Sequence, residues 1–325
     1  MRKIISRAIK KEAFAALADR HPPYGRLVFT HAAVSSAFML MVSLIGFVLE
    51  RTVADTTGLD GFGTAAALKT VHMTLSVLGN ILLPFWQLGL LYTSVRVIRG
   101  QNAQFPMLAQ GFRRIRPLVG YYAMFLLIIF AVAMACFYAL VLPFSCMPIP
   151  PELETAINAL DFTDAAKIMA FQEEYYQEIL LYSAPFLVVF SIVYGAVVLN
   201  LNYRFRMCGY LLLEDQRAGV MQSFRLSSRM TKSEKKNLFL LDLSFWWYHL
   251  LSVLASGVAF APDMMQAAGI ALPVSYETAS LLAYLAYVLC YLALAWFAGA
   301  YYQTSMACAY ETLRKSFEEK KAESE

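Results

Sequence analysis

Charge is what this sequence lacks most. Of its 325 residues only 15% are Asp, Glu, Lys or Arg, against about 25% in a soluble domain, which needs polar residues to cover its surface. An ordinary soluble enzyme is therefore excluded. Catalytic signatures are missing as well. The four histidines, His21, His31, His72 and His249, have no HExxH spacing, and neither a glycine-rich phosphate loop nor a GxSxG turn occurs. Five cysteines (Cys136, Cys146, Cys208, Cys290 and Cys308) form no CxxC and no paired spacing, which argues against a disulfide framework and a zinc site. They read as small apolar packing residues, with Cys146 alone in an exposed outer loop. No catalytic residue, cofactor site or metal site is assigned.

What is present is apolar. Hydrophobic residues make up 59% of the chain, where soluble proteins carry about 45–50%, and lipid accepts that excess where water does not. Crossing a hydrocarbon layer of about 30 Å takes roughly 20 residues of helix. Six stretches qualify: 27–49, 71–95, 118–142, 179–201, 238–261 and 279–301. The expected fold is all-α, a polytopic bundle of six membrane-spanning helices with amphipathic interfacial helices added. The second stretch starts beside Lys69 and His72 and contains Asn80, Pro84 and Gln87, so it is expected to face protein.

Orientation follows from where Lys and Arg fall, because they are retained on the cytoplasmic side. Residues 1–26 hold seven, the second-to-third connection five, the fourth-to-fifth eight and the tail four, leaving Arg51, Lys69 and Lys167 for the other side. Both termini are expected inside. The segments are then an interfacial helix over 1–26, a six-helix domain over 27–308 and a charged tail over 309–325. An outer loop covers 143–178 and a cytoplasmic amphipathic loop 203–237. The outer loop is acidic, with Glu152, Glu154, Asp161, Asp164, Glu173, Glu174 and Glu178 against Lys167. Pro150 and Pro151 should open one short helix there, and Asp161 or Thr163 should cap a second through Ala165 to Phe171. An amphipathic cap over the outer mouth is favoured over a cation-attracting vestibule, since outer loops are poor in basic residues anyway.

Near the start, Ile4, Ile5, Ala8, Ile9, Ala13, Ala16 and Leu17 make one helical stripe, with Lys3, Arg7, Lys10 and Lys11 opposite. This is the pattern of a helix in the headgroup plane. A cleavable signal is not expected, because the first apolar run exceeds the usual 7–15 residues or so. Residues 217–230 read as a second such helix, with Val220, Met221, Phe224 and Met230 apolar among basic neighbours. The bilayer and its anionic headgroups are the expected partners, worth about 1 kcal/mol per basic residue near the surface. Nucleic acid is not, because the basic residues are spread over four juxtamembrane segments.

From Ser228 to Tyr248 the chain reads SRMTKSEKKNLFLLDLSFWWY, and its last helix runs into YYQTSMACAYETL. These strings resemble a bacterial integral membrane family catalogued as domain of unknown function 975 (DUF975). The resemblance implies a bacterial cytoplasmic membrane protein and brings no established reaction. A more distant similarity, to membrane domains attached to glycerophosphodiester phosphodiesterases, carries over no catalytic residue.

Polar groups inside the spans need a reason, since a carboxylate at a helix centre costs about 2.5–3.5 kcal/mol on insertion scales. Asp242, Trp246 and His249 on the fifth span are spaced i, i+4, i+7 and so are expected to share one helical face. That helix is expected to be central and enclosed. Asp242 lies near the boundary, where Lys235 or Lys236 could hold it. His249 is deeper, and a neutral imidazole bonded to a neighbouring Tyr or Ser is favoured over a ligand or proton-relay role. Tyr284, Tyr287 and Tyr291 form a stripe on the sixth span, and Asn80 and Gln87 lie on one face of the second. Such stripes hold helices together at about 0.6–2 kcal/mol per bond. They define a candidate polar seam. Three functions follow in order of preference: a non-catalytic scaffold or accessory protein acting with a membrane partner or a second copy of the chain, a channel or transporter for a small or lipid-like solute around His249, Asn80 and Gln87, and a lipid-modifying enzyme.

Overall fold

The computed structural model describes residues 6–18, 24–56, 61–160, 165–215, 219–270 and 274–324. All the regular structure among them is helical, with no strand. The first part of the chain forms α1 (Ser6–Ala18), α2 (Tyr24–Thr56), α3 (Gly61–Ile98), a 3-10 turn (Phe105–Ala109) and the short α4 (Gln110–Arg113). Then come α5 (Ile115–Ser145), α6 (Pro151–Asn158), α7 (Ala165–Glu174) and α8 (Tyr176–Phe205). The remainder is α9 (Cys208–Glu214), α10 (Val220–Thr231), α11 (Lys235–Leu243), α12 (Trp246–Ala267), α13 (Tyr276–Leu294), a π-helical turn (Ala295–Gly299) and α14 (Ala300–Ser324).

Two compact units result, one of Met1–Val119 with Arg204–Glu325 and one of Gly120–Tyr203. In the second, Phe186 on α8 meets Phe137 and Phe144 of α5 edge-on, with ring centres at 5.7 and 5.3 Å. Leu126, Phe130, Leu142, Leu181 and Ile192 remain exposed on the same two helices, an arrangement that water penalises and acyl chains do not. Pro151 takes the first position of α6, where its missing N–H is harmless, and Glu152 and Glu154 favour the positive end of the helix dipole.

In the first unit α2 packs along α3, α12 along α13, and α1 against α14. Its centre is made by Tyr24, Leu27, Val28, Leu90, Val97 and Leu108, all buried. Two glycines set how closely α3 meets α4 and the turn before it. A Cβ on Gly89 would stand 1.8 Å from the Leu108 carbonyl oxygen, and one on Gly111 1.9 Å from that of Phe85. Only a hydrogen fits at either point, so the crossing is backbone against backbone.

Four segments among the described residues are long and apolar enough to cross a membrane: Tyr24–Val42, Ile115–Ser145, Tyr176–Glu214 and Thr278–Glu323. A fifth is reached if Lys235–Leu243 and Trp246–Gln266 count as one span bent by 63°. The stretch 71–95 lies in α3, where Leu82–Ile98 is apolar over a shorter length and buries Phe85, Leu88, Leu90 and Val95 in protein.

The expected continuous helix over 238–261 is thus corrected to two. The Ser244 hydroxyl donates to the Leu241 carbonyl at 2.5 Å, and the Phe245 N–H donates to Asp242 at 2.8 Å, a tight turn that leaves the α-helical ladder. Phe245 is fully buried between Tyr301 and Tyr302. Tertiary packing of this ring overrides the helical pattern of its sequence. Nor is α12 enclosed, since Trp246, Leu250, Val253, Leu254 and Phe260 are exposed along it.

Candidate functional site

The break between α11 and α12 gathers charged groups from three parts of the chain. Asp242, at the end of α11, accepts from both terminal nitrogens of Arg206, which follows α8; the Nη2 to Oδ1 distance is 3.0 Å. Tyr302 on α14 closes the ring. Its hydroxyl accepts from Arg206 at 2.7 Å and donates to Asp242 at 2.9 Å. A bidentate guanidinium–carboxylate pair is the strongest form of ion pair and orients both groups. It lowers the burden of placing Asp242 among apolar helices, because the carboxylate enters with its countercharge.

His249 stands beside this knot. Its Nε2 is 3.8 Å from Asp242 Oδ1, too far for a hydrogen bond, and its ring lies edge-on to Tyr302 at 5.4 Å. The side chain is 45% exposed. Asp242 and His249 are therefore neighbours, but by way of the bend and Tyr302 and not by helical periodicity. Ser252 and Ser256 donate to carbonyls of their own helix, Tyr248 and Ser252 respectively.

On the far side of the break, α1 supplies a cap. Lys10 Nζ donates to the Ser244 carbonyl at 2.8 Å and lies 4.1 Å from the centre of the Phe245 ring. A cation on the carboxyl end of a helix meets both an unpaired carbonyl and the negative pole of the dipole. Burial pushes the Lys10 ammonium below its ordinary value. Ile9 and Ala13 of the same helix are buried, so this part of its apolar stripe is taken up by protein. Of the expected headgroup contacts, Arg7 and Lys11 are exposed, Lys10 is turned to protein, and Lys3 lies outside the described residues.

The other members of the seam are placed separately. Tyr284, Tyr287 and Tyr291 do form a stripe, with ring centres 5.9 and 6.1 Å apart in succession. Gln87 is half-buried on α3, and the side chain of Asn80 lies outside those described. Expectations for Asp161 and Thr163 also fall outside the described residues. No group of three or more His, Cys, Asp or Glu able to hold a metal occurs among the described residues.

Sequence reasoning missed a second charged cluster, built on Glu214 at the end of α9. Glu214 accepts from Arg99, from Arg314 at 2.9 Å and from the Tyr310 hydroxyl at 2.6 Å. Arg99 also reaches Glu311. Burial alone would lower the Arg99 guanidinium, but the two carboxylates outweigh it and raise it. Arg114 donates to the carbonyls of Leu212 and Asp215 at 2.7 and 2.9 Å, capping α9. On α10, Ser227 and Thr231 both donate to the Arg204 carbonyl at 3.0 Å. The buried face of this basic helix is thus largely hydroxyl, a pattern that an apolar periodicity search does not reveal.

A family profile described as "Protein of unknown function (DUF975)" matches residues 29–316. The chain belongs to this family. No characterised protein and no solved structure matches it. The DUF975 match contains Arg206, Asp242, His249 and Tyr302, and Glu214 with Arg99 and Arg314, while α1 and its Lys10 lie ahead of it.

Proposed function

We propose that this DUF975 protein is a six-span protein of the bacterial cytoplasmic membrane, with both termini inside, that works as a non-catalytic scaffold or accessory protein. The orientation rests on the bias of Lys and Arg toward one side of the chain. The non-catalytic reading rests on one observation: the seam's carboxylate is engaged. Asp242 is held by Arg206 and Tyr302, an arrangement that ties the end of α8, the α11 break and α14 together and leaves the acid little freedom to move a proton.

Transport is the second reading, favoured by the half-exposed His249 beside Asp242 at a broken helix, the kind of discontinuity that lines solute sites in transporters. Two measurements separate the possibilities. Cys146, exposed beyond α5, should react with an impermeant maleimide added outside whole cells, and protection there would reject the orientation. In proteoliposomes with an internal pH dye, an imposed gradient should decay at the rate of empty vesicles. A decay that needs the protein and disappears in His249→Gln would replace the scaffold by a transporter.

A further inference from the structure

The Glu214 cluster forms one wall of a cleft that the seam does not use. The cleft lies among α9, α10, α14 and the carboxyl end of α3 and has a volume of about 510 Å³, inside the roughly 300–1,000 Å³ of small-ligand sites. Part of its lining is apolar, from Leu211, Leu226, Met230 and Phe317. Another part is cationic, from Arg96, Arg99, Arg314 and Lys321. Three carboxylates also line it, Glu214, Asp215 and Glu318. Glu214 is taken by Arg99, Arg314 and Tyr310, and Glu318 accepts from Arg314 at 2.9 Å. Arg96 is different. It donates to the side-chain oxygen of Gln101 at 3.1 Å and lies 4.9 Å from the centre of the Tyr92 ring. Both partners are neutral, and no carboxylate among the described residues meets its charge.

We propose that this cleft binds a phosphate-bearing anion, with Arg96 as its anchor and the apolar wall receiving the carbon portion of the ligand. A guanidinium held in place by neutral groups keeps donors for phosphate oxygens and loses little freedom on binding them. Gln222 and Ser223, also in the lining, add neutral polar groups. An anionic phospholipid headgroup and a soluble phosphate ester share this chemistry. The lipid source rests on the membrane orientation proposed above, which puts the cleft on the leaflet where anionic lipid collects. A soluble ester does not need it.

Thermal unfolding of the full chain in a neutral detergent, followed by tryptophan fluorescence, tests the site by linkage, since a ligand of the native state raises the midpoint. The probes are dioleoyl phosphatidic acid, glycerol 3-phosphate, inorganic phosphate and dioleoyl phosphatidylcholine. A rise with phosphatidic acid alone assigns the lipid source, and a rise with the soluble phosphates as well assigns the free anion. Arg96→Gln should raise the half-saturating concentration roughly tenfold, the weight of one charge-assisted contact. Arg96→Lys should recover most of this loss, and Arg225→Gln, exposed on α10 outside the lining, should change nothing. Leu226→Glu should also abolish the rise, which keeps the test independent of Arg96. No rise with any phosphate, an equal rise with phosphatidylcholine, or equal losses in Arg96→Gln and Arg225→Gln would each overturn the site. Resistance to alkaline carbonate extraction tests the membrane reading separately, so failure of one is distinguishable from failure of the other.

Discussion

The Lys10 ammonium donates to the carbonyl of Ser244, 234 positions later in the chain. The carbonyl is available because the helix breaks there, and the lysine is placed by the burial of Ile9 and Ala13 on the same helix. Lys10→Met should destabilise the protein by about 1–2 kcal/mol, since it strands a part-buried acceptor and removes a dipole partner. Lys11→Met, on an exposed neighbour, should stay within about 0.5 kcal/mol. Denaturant melts of both variants in detergent check the contrast, and equal effects would mean that α1 is held by its apolar stripe alone.

The same lysine gives a pH dependence with a definite sign. Burial lowers its value in the folded protein, so near the alkaline end the unfolded chain binds more protons than the native one. Stability from this group therefore rises with pH between the folded and unfolded values. Raising the pH toward the unfolded value of about 10.4 should strengthen the docking of α1 in wild type relative to Lys10→Met, as read by protease protection of the amino end. Release of α1 over that range would contradict this sign.

Glycine substitutions should divide sharply by position. Gly89→Ala and Gly111→Ala each drive a methyl group into a carbonyl oxygen, and overpacking of this kind costs about 1–3 kcal/mol or more. Gly195→Ala and Gly257→Ala meet nothing within 4 Å and should be neutral or stabilising by up to about 1 kcal/mol through helix propensity. Expression and melting of the four variants in parallel decide the matter.

Composition and periodicity made the helices legible, because lipid-length apolar runs leave few alternatives. The start of α6 could be read from Pro150 and Pro151. Asp242 and His249 could be named as neighbours, yet for a reason the structure replaces, since the helix that was to align them bends at Ser244. Nothing in LDLSFWWY carries a proline or glycine to announce the bend. It comes from the burial of Phe245 against Tyr301 and Tyr302, some 56 to 57 positions away. Arg206 enters the sequence reading only as one of the basic residues of its loop and Glu214 not at all, because pairing between elements depends on helix register, which no local pattern states. The close approach at Gly89 and Gly111 was hidden for the same reason.

The knot at Asp242 predicts non-additivity. Asp242→Ala leaves the Arg206 guanidinium, whose side chain is 18% exposed, without its countercharge, and should destabilise by about 2–4 kcal/mol. Arg206→Met should do likewise. The double variant removes both charges at once and should fall well short of the sum, with a coupling of about 1 kcal/mol or more. Effects that add to within about 0.5 kcal/mol would show that the pair contributes no more than two separate surface charges.

For His249, structure and sequence give different forecasts. The sequence alone suggests that His249→Leu strands a hydrogen-bonded partner and costs about 1–3 kcal/mol while His249→Gln is tolerated. In the fold the Asp242 carboxylate already has Arg206 and Tyr302, and the imidazole stands 3.8 Å off, with Tyr248 and Tyr302 edge-on to its ring. Removing it strands nothing. Leu and Gln should therefore both remain within about 1 kcal/mol of wild type, Leu being no worse than Gln on a side chain that is nearly half exposed. A large loss confined to Leu would restore the hydrogen-bonded histidine. Equal stability together with loss of a proton-dependent flux in both variants would instead make the imidazole a carrier, because then its chemistry matters where its packing does not.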